Sequence, residues 1–499
     1  MFTKVLVANR GEIAVRVQQT MRVMGISTVA VYSEADTTAP HVAMSDEAYP
    51  LLGNTAEETY LDIDKLLTIA RTSGAQAIHP GYGFLSESPR FAQACQEVGI
   101  VFVGPSPNSM ELMGDKVRSK ELAQSVGVPV VPSSPVCDSA SPELESFAKD
   151  AGFPLLVKAA AGGGGRGMRL VTDLEQLPRA MDAASREAHA AFGDGRVFLE
   201  RYIPSARHVE FQVLADTQGH VIHLLERECS VQRRHQKIIE EMPSPALTPA
   251  LRQRMGEAAV SIARAAEYVN AGTVEFLLDP DGAFYFLEMN ARIQVEHPIT
   301  EAITGVDLVE WQLRIAAGES LTLNQDDIRP NGHAIECRIY AEDPYDDFLP
   351  SSGTLRHWQP PSGPGLRLDS GFVAGQDVTT FYDPMLAKLV AWGPDRSRSL
   401  RRMEEALRRF AVLGVVTNIP FMREIVAHPA FRDGSYDTRF IEEHPELLQP
   451  ARALELRELA QAIASQAGNR GPVATPNQVD TSNADSRSPW RLAGQWRLP

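Results

Sequence analysis

The stretch 272-GTVEFLLDPDGAFYFLEMNARIQVEH-297 decides how the chain folds around its functional groups. Two apolar runs flank the turn signal DPDG at residues 279–282, so a β-hairpin is expected here. From residue 288 onward every second residue is polar, and the polar series is Glu288, Asn290, Arg292, Gln294 and Glu296. If the chain stays extended, a period of two places these five side chains on one face.

Glu275 extends this polar face onto the partner strand of the hairpin. If Leu278 pairs with Ala283, Glu275 falls on the same face, near or diagonal to Glu288. Two carboxylates beside the amide of Asn290 are what Mg²⁺ prefers when phosphate oxygens and water supply its other ligands. The alternative is the solvated outer face of an edge hairpin. We favour the metal site, because solvent faces seldom pair carboxylates beside an Arg-Gln-Glu series.

Composition restricts the class of protein. The chain has 499 residues, of which 43% are hydrophobic and 22% charged, which is typical of a globular protein with about three domains. The formal net charge of −16 argues against nucleic acid and anionic membranes as partners, so a small anion needs a local basic patch. No apolar run has the length of a membrane span or signal peptide, and we expect a cytoplasmic protein.

The four cysteines indicate neither a metal knuckle nor a redox pair. They are far apart in sequence and form no C-x-x-C motif. We therefore expect buried free thiols at Cys95, Cys137, Cys229 and Cys337.

Alternating strand and helix signals predict a mixed α/β and α+β fold. Residues 1–112 are expected to form an open parallel α/β domain, whose turns have too few glycines for dinucleotide binding. This domain either packs beside the catalytic part or contributes loops directly, such as 79-HPGYGF-84.

A second domain is expected at residues 113–330, with a small α/β unit inserted at about 130–203 that suggests a lid. Short strand signals followed by a helix predict an α+β domain over 331–445. The remainder, 446–499, reads as a helix at Ala451–Ser465 and a flexible segment rich in Pro, Gly, Asn and Ser.

A glycine run at residues 162–165, with Gly167, fits the spacing G-x-G-x-x-G. A dinucleotide fold requires a helix next, and the strand signal 168-MRLV-171 follows instead. The pattern predicts a hairpin flap whose bare amides can contact phosphate oxygens, with Lys158 on the incoming strand. A merely flexible hairpin is the alternative.

The run 228-ECSVQRRHQK-237 supplies local basicity through Arg233, Arg234, His235 and Lys237. A solvated charged face is the alternative. Arg338 lies on a predicted strand with Glu336 on the same face, where a structural ion pair is equally consistent with the spacing.

A series of motifs resembles the biotin carboxylase family over about residues 1–445. The motifs include ANRGEIAVR, HPGYGFLSE, MGDK, KAAAGGGGRGM, RHVEFQVLAD, ERECSVQRRHQK, EMNARIQVEHPITE and ECRIYAEDP, in this order. The resemblance implies an N-terminal α/β domain preceding an ATP-grasp domain with a mobile lid, then a C-terminal biotin carboxylase domain. It also implies MgATP-dependent (or MnATP-dependent) transfer of CO₂ from bicarbonate to N1′ of biotin.

The resemblance assigns roles to individual residues. Phosphate contacts are expected from Lys116, Lys158, Gly164, Gly165 and His208, adenine contacts from Glu200, Arg201 and Ile203, and a position beside the nucleotide from His235. Metal ligands are expected at Glu275, Glu288 and Asn290. The bicarbonate pocket is expected to comprise Lys237, Arg292, Gln294, Val295 and Glu296, with Glu296 as the base and Arg338 facing the ureido oxygen of biotin. Lys116 and His208 have no signal apart from the resemblance.

The implied chemistry is physically consistent. A carboxylate beside two cations can take the proton of bicarbonate while the cations hold the dianion. Attack of the dianion on the γ-phosphoryl group gives carboxyphosphate and ADP. Carboxyphosphate then breaks down to CO₂ and phosphate, the phosphate takes the N1′ proton of biotin, and N1′ attacks the CO₂. The lid excludes water from both intermediates.

Some features depart from the family pattern. Arg201 stands where many relatives have Lys, and Ala291 where Thr or Pro is frequent. No A-M-K-M or E-M-K-M sequence occurs, so the biotin is expected on a separate carrier protein. The tail sequence SPWRLAGQWRL, and weakly Tyr340, are similar to long subunits of 3-methylcrotonyl- and propionyl-type carboxylases.

The expected partners are a biotin carboxyl carrier protein and carboxyltransferase subunits of an acetyl-CoA or other acyl-CoA carboxylase, and a second copy in a homodimer. Two alternatives are a different ATP-grasp ligase and a catalytically silent nucleotide-binding scaffold. The series from Arg292 to Glu296 and Arg338 argue against the other ligase, and the presence of every expected polar residue argues against the scaffold.

Overall fold

The computed structural model describes residues 1–139, 141–160, 168–234 and 236–449. The N-terminal strands are β1 (Lys4–Val7), β2 (Ser27–Tyr32), β3 (Glu47–Pro50), β4 (Ala77–His79) and β5 (Val101–Phe102). They form a parallel sheet in the order β3-β2-β1-β4-β5. This confirms the predicted open parallel α/β architecture.

Helices connect and cover these strands. They are α1 (Gly11–Val23), α2 (Pro40–Ala43), α3 (Ile63–Ser73), α4 (Pro89–Glu97), α5 (Pro107–Gly114) and α6 (Lys116–Ser125). Four of them begin at side-chain caps, in which Asp62, Ser88, Ser106 and Asp115 accept hydrogen bonds from backbone N–H groups of the first turn. Such caps satisfy donors that have no partner within the helix, which is why the helices begin there.

A separate small sheet forms in the region predicted as an inserted unit. Its elements are α7 (Pro142–Ala151), β6 (Leu155–Ala159), β7 (Arg169–Val171), α8 (Leu177–Phe192) and β8 (Val197–Arg201). The strands are antiparallel in the order β7-β6-β8, and they share an apolar core with the two helices. Strands β6 and β7 therefore form the predicted hairpin. Its glycine-rich tip, with Gly164 and Gly165, lies outside the described residues.

An eight-stranded antiparallel sheet is the main scaffold. Its first six strands along the chain are β9 (Arg207–Ala215), β10 (Val221–Arg233), β11 (Gln236–Met242), β12 (Asn270–Leu278), β13 (Phe284–Asn290) and β14 (His333–Tyr340). Eight more strands follow in the described part of the chain, of which two belong to this sheet. These are β15 (Glu342–Asp343), β16 (Leu349–Pro350), β17 (Gly353–Thr354), β18 (His357–Gln359), β19 (Leu366–Ser370), β20 (Asp377–Val378), β21 (Met385–Gly393) and β22 (Ala411–Leu413).

The order in the main sheet is β13-β12-β9-β10-β11-β14-β21-β19. Because β11 pairs with β14, this sheet is continuous across residue 330, where a domain boundary was expected. Side chains from the segments before and after residue 330 can therefore lie on the same face of the main sheet.

The remaining helices pack on this sheet and on its C-terminal extension. They are α9 (Pro249–Ala265), α10 (His297–Thr304), α11 (Leu308–Ala316), α12 (Arg396–Arg409), α13 (Ile419–Ala427), α14 (Pro429–Asp433) and α15 (Phe440–Glu443). Single 3₁₀ turns occur at Glu34–Asp36, Gln325–Asp327 and Pro445–Leu448. The predicted helix at 451–465 lies outside the described residues.

The hairpin of β12 and β13 differs from the expectation in its register. Leu278 pairs with Phe284, not with Ala283, because the backbone N–H of Asp279 donates to the carbonyl of Ala283 and closes a longer turn. A β-bulge at Leu287 then shifts the pairing by one residue, so that Glu275 lies directly opposite Glu288. The bulge therefore produces the close carboxylate pair.

The expectation that the chain stays extended from Glu288 to Glu296 is wrong. Strand β13 ends at Asn290, and the chain bends through residues 291–296 before α10 begins at His297. Local hydrogen bonds favour this turn, since the carbonyl of Gln294 lies 2.7 Å from Nδ1 of His297 and Pro298 occupies the first turn of α10.

Most of the cysteines are buried and free, as expected. Three thiols are buried and free, whereas Cys137 is half-buried.

Among the helices in the described ranges, none combines the length and apolarity needed to cross a bilayer.

Two buried histidines predict loss of stability in acid. Burial lowers the pKa of His41 and of His79 to about 4, and both rings are fully inaccessible. The unfolded chain, with histidine pKa values near 6.5, therefore binds more protons than the folded chain between about pH 6.5 and pH 4. Each histidine is expected to decrease the free energy of unfolding by about 3 kcal/mol as the pH falls through this window.

Urea denaturation followed by circular dichroism between pH 7 and pH 4 measures this dependence. His41→Gln should lose less stability in acid than the parent chain, and the exposed His357→Gln serves as the control. Identical pH profiles for His41→Gln and the parent would contradict the assignment.

Candidate active site

Glu275 and Glu288 form a carboxylate pair across β12 and β13. Burial and the negative charge of Glu275 raise the pKa of Glu288, and within the described ranges Glu288 has no salt-bridge partner. A carboxylate pair in which one member lacks a described protein cation is suited to a divalent ion with oxygen ligands. The predicted metal residues are therefore brought together, and their chemistry fits Mg²⁺ or Mn²⁺.

Glu275 is the most connected carboxylate of the site. Its Oε1 accepts hydrogen bonds from Lys237 at 2.9 Å, Asn290 at 2.7 Å and Gln294 at 3.0 Å. Its Oε2 lies 2.8 Å from Nε2 of His208. Burial opposes ionisation, but the charges of Lys237 and His208 hold the pKa of Glu275 below its ordinary value. Glu275 is therefore ionised and connects the metal side to the basic side.

Lys237 is the central cation of the site. Its Nζ contacts the carboxylates of Glu210, Glu275 at 2.9 Å and Glu296 at 2.9 Å. Burial disfavours its charge, yet these three carboxylates raise the pKa of Lys237 well above its ordinary value. Strand β11 thus places one residue of the predicted basic run inside the site, whereas Arg234 is exposed and pairs with Asp347.

Glu296 is fully buried between two cations. Its Oε1 accepts from Lys237, and its Oε2 lies 3.0 Å from Nη2 of Arg338. Burial opposes its charge, but Lys237, Arg338 and Arg227 hold the pKa of Glu296 well below its ordinary value. Glu296 is consequently a carboxylate able to accept a proton.

Arg338 is shared by two carboxylates from different segments. Its Nε donates to Oε1 of Glu240 at 2.7 Å, in addition to its contact with Glu296. The alternative ion pair with Glu336 does not form. Arg338 contacts Glu240 on β11, and both carboxylate oxygens of Glu336 lack described hydrogen-bond partners. Burial and the charge of Glu296 raise the pKa of Glu240 to about 7, against the opposing effect of Arg338.

Arg292 and Gln294 reach the same site from the bent segment after β13. The guanidinium of Arg292 donates to Oδ1 of Asn290 at 3.0 Å and to Oε1 of Gln294 at 2.8 Å. Its Nε also donates to Glu87, whose other oxygen accepts from the backbone of Ala291. Glu87 follows the HPGYGF loop, so the N-terminal domain contributes directly to this site.

A group of lysines lies near Glu288. Glu200 is buried and accepts from both Lys158 and Lys120, and Lys116 lies near enough to both Glu288 and Glu200 to feel their charges. Burial lowers the pKa of Lys116. The ammonium groups of Lys116, Lys120 and Lys158, with the carboxylate of Glu200 between two of them, form a basic surface that we call the lysine patch. Such a surface is suited to phosphate groups.

An apolar cluster lies near the lysine patch. Ile203 packs with Val131 and Ala206, and with the partly buried Leu277 and Tyr285. Arg201 is exposed. Such a cluster offers an apolar surface to a planar aromatic ring. Its members other than Ile203 were not predicted.

Lys388 supports the bent segment from below. It is fully buried on β21, where it pairs across the sheet with Arg338. Its Nζ donates to the carbonyl of Val295 at 2.8 Å and lies 3.1 Å from the carboxylate of Glu12 on α1. Lys388 therefore joins elements of the N- and C-terminal parts to the residue that precedes Glu296.

The structure brings together most of the predicted site residues. Those in contact through hydrogen bonds or salt bridges include Glu275, Asn290, Arg292, Gln294, Glu296, Lys237, His208 and Arg338. Gly164, Gly165 and His235 lie outside the described residues. The sequence analysis missed Lys120, Glu210, Arg227 and Glu240.

Two of the missed residues had a detectable signal. Lys120 is one helical turn after Lys116, and Glu210 alternates with His208 and Gln212 along β9. Arg227 and Glu240 had none.

Family sequence models match three consecutive parts of the chain. The biotin carboxylase N-terminal domain matches residues 1–110, and the ATP-binding domain of the carbamoyl-phosphate synthase L chain matches residues 115–324. The biotin carboxylase C-terminal domain matches residues 336–443.

Curated relatives and a solved structure agree with these models. A biotin carboxylase of Nostoc sp. is 50% identical over 89% of this chain and 99% of its own length. The mitochondrial methylcrotonoyl-CoA carboxylase subunit alpha of Dictyostelium discoideum is 47% identical over 99% of this chain and 70% of its own length. The biotin carboxylase domain dimer of the Hydrogenobacter thermophilus 2-oxoglutarate carboxylase, with MgADP, ADP and bicarbonate, has a TM-score of 0.88. It is 50% identical, covering 91% of this chain and all of that chain.

The matched ATP-binding domain, with its carboxylate pair beside the lysine patch, places the chain in the class of ATP-grasp ligases. Within that class, the chain belongs to the biotin carboxylase family.

Proposed function

We propose that this chain uses MgATP and bicarbonate to carboxylate N1′ of biotin attached to a separate carrier protein. The observation that carries the proposal is the position of Glu296, which is buried between Lys237 and Arg338. Lys237 in turn touches Glu275, so the proton acceptor and the metal residues share one cation. This arrangement suits the joint binding of an anion and a nucleotide phosphate.

Glu296 is the proposed base for bicarbonate. Its low pKa depends on Lys237 and Arg338, which bind its two oxygens in the absence of substrate. When Lys237 and Arg292 turn to a bound bicarbonate, Glu296 loses part of this stabilisation and becomes a stronger base. Anion binding would then activate the base as well as orient the nucleophile.

Arg338 is proposed to stabilise the ureido oxygen of biotin as negative charge develops there. Glu240 holds the Nε side of the guanidinium, and this fixes the direction of the remaining N–H groups. An oriented donor in a buried site needs little rearrangement during the reaction.

The nucleotide is proposed to lie between the lysine patch and the apolar cluster. Glu275, Glu288 and Asn290 would hold Mg²⁺ or Mn²⁺, which neutralises phosphate charge when bound. Lys116, Lys158 and His208 would contact phosphates together with Gly164 and Gly165, and His235 would lie beside the nucleotide. Ile203 and its neighbours would support adenine, with Glu200 and Arg201 in the adjoining segment.

The proposed partners follow from the chemistry and the relatives. The product must pass to a carboxyltransferase, and a separate biotin carrier protein is the proposed carrier between the two. The related Hydrogenobacter domain is a dimer, which supports a homodimer here.

One assay tests the proposed function against its alternatives. ATP cleavage by the purified chain is measured with bicarbonate and free biotin each supplied or omitted. We expect phosphate release to depend on both. Cleavage that needs an amine instead would favour another ATP-grasp ligase, and nucleotide binding without cleavage would favour a scaffold.

A further inference from the structure

Two histidines and a glutamate meet at the C-terminal end of the described chain, on elements that the active site does not use. His428 lies between α13 and α14, His444 follows α15, and Glu446 lies in the 3₁₀ turn at Pro445–Leu448. The other groups of three metal-binding side chains in the described ranges lie in the active site, around Glu210. The C-terminal group therefore calls for a separate explanation.

The donor atoms of this C-terminal group converge. Oε1 of Glu446 lies 3.1 Å from Nδ1 of His444 and 3.6 Å from Nε2 of His428. One ligand atom from each of the three residues lies within 4.8 Å of the others. Donors bound about 2.1 Å from a tetrahedral zinc ion are about 3.4 Å apart, so the observed spacing needs little adjustment.

The surroundings orient the two rings. Their centroids are 4.1 Å apart, and Phe440 packs within 5.4 Å of His428 and 5.0 Å of His444. Nδ1 of His428 is buried without a partner in the described part of the chain, so Nε2 supplies the polar contact of this ring. The side chains of His428, His444 and Glu446 are 17%, 27% and 58% exposed, which leaves an open side for a water ligand.

From this geometry we infer that His428, His444 and Glu446 form a binding site for a divalent transition metal such as Zn²⁺. Two neutral imidazoles and a carboxylate are ligands that zinc prefers, with water in the fourth position. Mg²⁺ is a poor occupant, because it favours oxygen ligands.

A bound metal would close the loop from residue 428 to residue 446. This loop contacts the segment beside the apolar cluster, since the backbone N–H of Thr438 donates to the carbonyl of Ala206 at 3.0 Å. Arg207 donates to the carbonyl of Gly434 in the same loop. The site is thus expected to stabilise the C-terminal segment rather than to take part in catalysis.

Calorimetric titration of the chelator-treated full chain with Zn²⁺ tests this site. The titration is made in a Cys137→Ser background, which removes the half-buried thiol, and in excess Mg²⁺, which competes for oxygen ligands. We expect one saturable Zn²⁺ equivalent and an increased thermal midpoint. Titration with Co²⁺ should give the visible absorption of a site with nitrogen ligands.

His444→Gln and Glu446→Gln are the test variants, and the second changes an exposed side chain that folding tolerates. We expect each to weaken Zn²⁺ binding by at least about 100-fold. His357→Gln, which removes an exposed histidine elsewhere, should bind Zn²⁺ like the background. Absence of saturable binding, or equal affinity in Glu446→Gln and the background, would overturn the inference.

Discussion

Replacing Glu296 by glutamine is expected to reduce the rate of biotin carboxylation about 1,000-fold, the range of a lost general base. Glutamine keeps the size of the side chain and one oxygen for Lys237 or Arg338, but it cannot take a proton. Binding of MgATP should change by less than about threefold, because Glu296 reaches the metal residues only through Lys237. Steady-state carboxylation of free biotin and a nucleotide-binding titration separate the two effects.

Glu336→Gln is the matched control for this substitution. Glu336 is also a fully buried glutamate on the main sheet, and burial raises its pKa well above its ordinary value. Because burial favours the protonated form of this carboxyl group, glutamine is a close substitute and activity should be retained. Full activity in Glu296→Gln, or equal losses in both variants, would refute the assignment of the base.

The sequence predicted the polar residues of the site more reliably than the backbone that carries them. Alternation from Glu288 to Glu296 indicated side chains that the structure brings together, although the chain bends after Asn290. Alternation survives as a signal because the apolar residues between them, such as Ile293, still pack into the core. The bulge at Leu287 had no sequence signal, since a bulge depends on pairing across the sheet.

Contacts between segments that are far apart in the sequence could not be predicted from local residue patterns. Glu240 reaches Arg338 because β11 pairs with β14, and Lys388 reaches Val295 through a sheet that spans the expected domain boundary. Periodicity reports which face a residue occupies, but it does not report which other strand lies beside that face. The family resemblance gave roles for ligand contacts, not for these supporting residues.

Lys388, which holds the segment before Glu296, also has a second role as the cation beside Glu12. Lys388 offsets Glu12, whose pKa burial raises to about 7 even with Lys388 beside it. Lys388 also donates to the carbonyl of Val295, which holds the bend before Glu296. Loss of the lysine should therefore affect stability through Glu12 and catalysis through Val295, and a double substitution can separate the two.

At about pH 8.5, where Glu12 is ionised beside Lys388, Lys388→Met is expected to decrease the free energy of unfolding by about 2 kcal/mol, because the buried carboxyl group of Glu12 must then take up a proton. It should also reduce kcat about 100-fold, since displacement of the base by about 1 Å has effects of that size. Adding Glu12→Gln should recover much of the stability, measured by urea denaturation, but not kcat. Arg408→Met, at an exposed ion pair with Glu405, should change neither. Recovery of full kcat in the double variant would show that the lysine–carbonyl contact does not position Glu296.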